Sequence, residues 1–163
     1  MLDNVDKKIL EILQKDGRIP LTQIAKKLRR ARTTINDRVA RLEREGYIVG
    51  YRAVVDPAKI GFNYSAIVMI KVKRGVGVAK YNQIEIAKKI IEDCRKKKNM
   101  PFVEEAYIVT GVYDIALKIW IKSWDHLTNF LIYYLAKLDE IASTETFMIL
   151  ERVPKTPQPF PVD

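Results

Sequence analysis

Three apolar stripes with the period of a helix occupy residues 5 to 42, separated by short polar breaks. Val5, Ile9, Ile12 and Leu13 share one side of a helix that Asp3 or Asn4 is placed to cap and that Gly17 closes. Leu21, Ile24, Ala25 and Leu28 form a second stripe behind Pro20, a residue tolerated at or just before a first helical turn. Ile35, Val39 and Leu42 form the third, which ends at Gly46, where a left-handed glycine stop is expected. No one of these helices can bury its stripe alone, so the three must pack on one another.

From Tyr47 the period changes. The run IVGYRAVVDP reads as an extended strand linking two domains and ending at Asp56 and Pro57. Beyond it the pattern predicts a strand over 66–73 and a helix over 79–97, with Ile84, Ala87, Ile91 and Cys94 in register. Strands over 103–110 and 113–122 follow, then a helix presenting Leu127, Leu131, Tyr134, Leu135 and Leu138, and a last strand over 142–151. The order strand, helix, strand, strand, helix, strand is that of a ferredoxin-like sandwich with both helices on one face of an antiparallel sheet. The expected class is therefore α+β. A three-helix helix-turn-helix domain covers 1–52, a linker 53–64, an αβ sandwich 65–152 and a proline-rich tail 153–163.

The strands IVMIKV and IALKIWI are apolar on both faces, so the open side of the sheet is expected to pack on a second copy, giving at least a homodimer. The tail PKTPQPFPVD cannot continue a sheet; it either packs on a neighbouring subunit or frays. Composition narrows the chemistry further. One cysteine, Cys94, and one histidine, His126, allow neither an internal disulfide nor a closed Cys/His zinc site. Cys94 reads as a buried thiol, His126 as a capping or surface residue, and Trp120 and Trp124 as core or interface anchors. No apolar run approaches the roughly 20 residues of a membrane span. The opening MLDNVDKK has no secretory pattern, so the expected location is the cytoplasm.

Charge is unevenly placed. Of a formal net charge of +9, residues 1–52 carry +6, with 13 basic and 7 acidic side chains. Eight basic and two acidic residues lie between Lys26 and Arg44, a density suited to a polyanion or, more simply, to a solvated face. The basic loop RKKKNMP, 95–101, either touches nucleic acid or complements the dipole of the helix before it. With Ile35, Val39 and Leu42 inward, the third helix turns Thr33, Thr34, Asn36, Asp37 and Arg41 outward. Asn36, Asp37 and the threonines are types that pair with base edges, although Asp37 also stands four residues before Arg41 and could only make a surface pair. Arg29, Arg30 and Arg32 stand where side chains and free backbone amides hold phosphate.

The segments LDNVDKKILEILQKDGRI, RVARLEREGYIVGYRAVVDPAKIG, TGVYD and TETFMILE together resemble the Lrp/AsnC transcription regulators of bacteria and archaea, over nearly the whole chain. The member it resembles is expected to be archaeal, and high charge with many Ile, Lys and Glu is the composition of a hot-environment source. The resemblance implies binding to double-stranded DNA, a dimerising sandwich that in many members stacks into an octamer of four dimers, and an amino-acid effector bound between dimers, with no other cofactor and no metal. Its effector positions match Gly111, Tyr113, Asp114, Thr144 and Thr146. Asp114 suits a ligand ammonium and the amides around Gly111 suit a carboxylate, while the two threonines face the same way on a strand. TGVYD also reads as a plain hairpin turn with Asp114 as turn-former.

Two departures stand out. Where the family has Gly, an apolar residue and Ser in the turn, this chain has Arg29, Arg30 and Ala31, leaving Thr33 as an alternative cap. RKKKNMPF looks like an insertion. Two other functions fit the layout: an architectural DNA binder with no effector, and an enzyme such as a haem-pathway decarboxylase. The hairpin region lacks the histidine that the second would need, so no catalytic residue is expected.

Overall fold

The computed structural model describes residues 1–73, 82–153 and 158–162. The chain divides into two compact units, Met1–Val55 with Val153–Asp163, and Asp56–Arg152.

In the first unit, α1 (Asn4–Lys15), α2 (Leu21–Leu28) and α3 (Arg32–Arg44) close around Ile9, Ile19, Ile24, Ala25, Ile35, Val39 and Leu42. Asp3 is the cap of α1: its carboxylate accepts from the Val5 and Asp6 amides, and Asp6 accepts from the Asp3 amide in return. This reciprocal box satisfies amides that a helix start otherwise leaves free. Helix α1 ends at Lys15, with Asp16 extended, before Gly17 is reached. Gly46 follows α3 at φ 76°, as a left-handed stop should. Within this unit the tail returns to α1, where the Phe160 amide donates to Gln14 Oε1 at 2.7 Å and Gln14 Nε2 donates to the Phe160 carbonyl at 3.1 Å. Residues 154–157 of the tail lie outside the described part.

The run after Tyr47 is not part of a sheet ladder among the described residues, contrary to the linker strand expected there. A strand needs a partner for its amides and carbonyls, and a single chain offers none. Val49, Val54 and Val55 are correspondingly exposed.

The second unit follows the expected order: β1 (Tyr64–Val72), α4 (Gln83–Lys96), β2 (Phe102–Ile108), β3 (Ile115–Ile121), α5 (Trp124–Thr128) and β4 (Ile141–Ile149). The predicted start of the long helix at 79–81 lies outside the described residues; the helix is capped at Asn82. The antiparallel sheet has the strand order β2-β3-β1-β4. Ala66, Val68, Ile70 and Val72 of β1 and Ile115, Leu117, Ile119 and Ile121 of β3 pack with both helices in one core. The helical register differs from the stripes read in sequence. In α4, Ile86, Ala87, Ile90 and Cys94 are buried and Ile84 is exposed. After α5 the chain widens into π turns over Asn129–Tyr134 and tightens into a 3-10 turn over Leu135–Lys137. The wider turns rotate the face, so Phe130 enters the core while Leu131 and Leu138 are only partly buried.

Candidate nucleic-acid interface and effector site

The corner between α2 and α3 is built without the residues usual for one. Arg29 ends α2 in the left-handed region at φ 51° and ψ 51°, and the Arg30 amide reaches the Ala25 carbonyl at 3.0 Å. A non-glycine residue there costs about 1 kcal/mol of backbone strain. Ala31 precedes α3 and its side chain makes no capping bond. Thr33 lies inside the first turn of α3 and does not cap it, because the helix begins one residue earlier, at Arg32. The first amides of α3 therefore carry no side-chain cap, and Arg29, Arg30 and Arg32 stand exposed around them.

Burial of Ile35, Val39 and Leu42 fixes the rotation of α3 and leaves Thr33, Thr34, Asn36 and Asp37 exposed. Arg41 is the exception among the eight predicted residues. It turns to α1 and donates to Asp6, so no Asp37–Arg41 pair forms. Arg38 joins it, donating to Asp6 Oδ1 at 2.8 Å and to Asp3 Oδ2 at 2.6 Å. Asp6 is fully buried. Burial alone would raise its carboxyl, but the Asp3 amide, Arg38 and Arg41 outweigh it and hold the group below the usual carboxylate range. The Asp6 amide, and then Arg38, hold Asp3 down at about 2. This cluster was missed in the sequence, where its one signal is an acidic side chain in the apolar stripe between Val5 and Ile9.

In the second unit the hairpin joining β2 to β3 turns through Gly111 at φ 110° and closes with the Val109 amide on the Asp114 carbonyl at 3.0 Å. Asp114 is tied to β1: its amide donates to Ile70, its Oδ2 accepts from the Val72 amide at 2.8 Å, and Lys71 Nζ lies 3.4 Å from the same oxygen. Tyr113 donates its hydroxyl to Glu145 of β4. Thr144 and Thr146 pair in register with Ile70 and Val68, whereas Glu145 pairs with Met69. Since opposed residues share a face, both threonines lie on the helix-covered side and Glu145, with Tyr113, on the open side. The five expected effector residues are thus divided between the two faces, and Lys71 and Glu145 join them. Their sequence signal was alternation alone: Glu145 sits between the two threonines.

Cys94 is buried in the core, and burial pushes its thiol up to about 12, which makes it inert. Trp120 is buried on the open face, donating to Glu104 Oε2 at 2.6 Å; Trp124 is exposed, its ring 5.2 Å from that of Tyr64.

Residues 2–49 match the family of winged helix-turn-helix DNA-binding domains, and residues 65–159 match the Lrp/AsnC ligand binding domain. The chain is 39% identical over 151 residues to the HTH-type transcriptional regulator FL11 of Pyrococcus furiosus, covering 93% of this chain and 91% of that protein. It is 33% identical to the HTH-type transcriptional regulator LrpA of Pyrococcus horikoshii, over 94% of this chain and 99% of that one. The structure of AsnC from E. coli superposes with a TM-score of 0.74 at 30% identity, covering 93% of this chain and 94% of the other. An exposed polar helix on a helix-turn-helix unit, an αβ sandwich in the second unit, and these matches along both units establish that the chain belongs to the Lrp/AsnC family of DNA-binding transcription regulators.

Proposed function

We propose that α3 lies in the major groove of double-stranded DNA, with Arg29, Arg30 and Arg32 holding phosphates and Thr33, Thr34, Asn36 and Asp37 meeting base edges. The observation that carries this is the exposure of all seven on the side of α3 and its preceding turn that the core leaves free. Arg41 is removed from the reading set, because its guanidinium serves Asp6. A gel-shift titration at stated salt tests the assignment. Arg32→Ala should weaken binding to every sequence alike and flatten the salt slope by about one. Asn36→Ala should instead relax preference at one position by about 1–3 kcal/mol. Equal loss of affinity and unchanged preference in both variants would reject the division of roles.

The match to a ligand binding domain supports an amino-acid effector at the hairpin. Among the described residues both side-chain contacts of Asp114 fall on Oδ2, which leaves Oδ1 to accept from an ammonium, and the space beside Gly111 is open, with no atom within 4 Å of where a Cβ would stand. A specific observation favours the alternative of an effector-independent architectural binder: Asp114 already has a lysine and an amide as partners, and Thr144 and Thr146 lie on the other face from Tyr113. Calorimetric titration with the twenty amino acids separates the two. Heat that disappears in Asp114→Ala supports sensing, and no heat from any of them supports the architectural binder.

The open sheet face, with Ile67, Met69, Trp120 and Phe147 on it, is the surface on which a second copy would pack, and stacking of dimers into an octamer extends that reading. Among the described residues no helix is long and apolar enough to cross a membrane, in keeping with action in the cytoplasm where DNA is met.

A further inference from the structure

A cavity of about 380 Å³ lies in the second unit where the end of α4, the start of β2, the end of β3 and the first turn of α5 meet. That volume is in the range of small-molecule sites, roughly 300–1,000 Å³. The rings of Phe62 and Phe102, 6.0 Å apart, and the side chain of Met100 give it apolar walls. Its charged groups are Arg95 and Lys122, with His126 beside them and no lining carboxylate among the described residues. Neither cation has an ion-pair partner among the described residues. Lys122 Nζ rests 4.9 Å from the Phe62 ring centroid, on an aromatic face and not on an anion. His126 Nδ1 is shielded from solvent and has no hydrogen-bond partner among the described residues, a condition that buried polar atoms seldom tolerate.

This place is separate from the hairpin of Asp114. Phe102 pairs with Trp120 and Ile108 with Ile115, so the cavity and the hairpin stand at opposite ends of β2 and β3, roughly 20 Å apart at the rise of a strand. Part of its wall, Arg95 and Met100 to Phe102, belongs to the stretch RKKKNMPF.

We propose that the cavity is a second small-molecule site and takes a carboxylate bearing an apolar ring or branched chain. The carboxylate meets Lys122 and Arg95, the apolar part lies against the Phe62 and Phe102 rings beside Met100, and the ligand's polar end comes to rest beside the His126 ring. The probe is 3-phenylpropanoate against its neutral amide, titrated into the full chain. The acid should bind with a Kd below about 1 mM and the amide at least about tenfold more weakly. Lys122→Met and Arg95→Met should each weaken the acid about fivefold or more and leave the amide unchanged; both side chains are exposed, so the fold is kept. Because His126 is the one histidine of the chain, its ¹⁵N resonances report directly, and Nδ1 should shift as the acid saturates. Saturating L-leucine or L-methionine should not displace the acid. Equal binding of acid and amide, no binding at 10 mM, a silent His126 or displacement by those amino acids would each overturn the proposal.

Discussion

Asp6 shows how one side chain can decide the placement of a whole helix. A buried carboxylate is tolerated only where its charge is met, and here two arginines of α3 and an amide of α1 meet it, pinning the proposed DNA-facing helix to the first. Asp6→Ala should therefore destabilise the N-terminal unit by about 2–3 kcal/mol, read as a lower urea midpoint in the helical circular dichroism. The sign of the acid response follows from the same groups. Both carboxyls titrate lower in the folded chain than the roughly 3.9 of an unfolded aspartate, so the native state holds fewer protons there. Their contribution is present above about pH 4 and is lost as pH falls through about 2, the folded value of Asp3. A pH series from 5 to 1.5 should show that loss in the wild type and a much flatter response in Asp3→Asn/Asp6→Asn. Arg29 offers the opposite case, strain kept beside function. Arg29→Gly should relieve the left-handed backbone and stabilise the corner by about 0.5–1 kcal/mol while weakening DNA binding. A melting temperature that fell, or an unchanged affinity, would count against this account.

At the scale of elements, the hairpin between β2 and β3 depends on a backbone that only glycine adopts at little cost. A Cβ on Gly111 would touch no atom within 4 Å, so Gly111→Ala should cost only the dihedral penalty, about 1–2 kcal/mol by thermal melting. A larger loss would reveal crowding that the open surroundings do not predict. The π turns after α5 were not legible as periodicity, since an expected 3.6-residue stripe and a widened one differ by a single residue of register. What fixes the widened form is the core: Phe130 is fully buried, and Tyr134 donates to Asp93 of α4 at 2.7 Å. Removing that bond with Tyr134→Phe should cost about 1 kcal/mol.

For the whole molecule, the uneven charge and the uncovered sheet face make separate predictions. The basic surplus of the first 52 residues should give DNA binding a steep salt dependence whichever sequence is tested. Phe147 is half exposed on the open face, so Phe147→Lys should leave the fold intact and shift the species seen by sedimentation toward the monomer. An unchanged mass would place the self-association surface elsewhere.

Alternation and helical spacing determined the three N-terminal helices, the βαββαβ order and the apolar faces of the strands, because each is a local consequence of which residues must leave water. They also placed Arg29, Arg30, Arg32, Thr33, Thr34, Asn36 and Asp37 on an outer surface, since Ile35, Val39 and Leu42 fix the rotation of a single helix. Contacts between residues distant along the chain were decided only in three dimensions. Arg38 and Arg41 became partners of Asp6, Asp114 became tied to Lys71 and Val72, and Tyr113 and the two threonines were sent to opposite faces. Such pairings depend on strand register and on where helices cross, and the free energy that sets them is summed over a whole core, so no short window of sequence contains it.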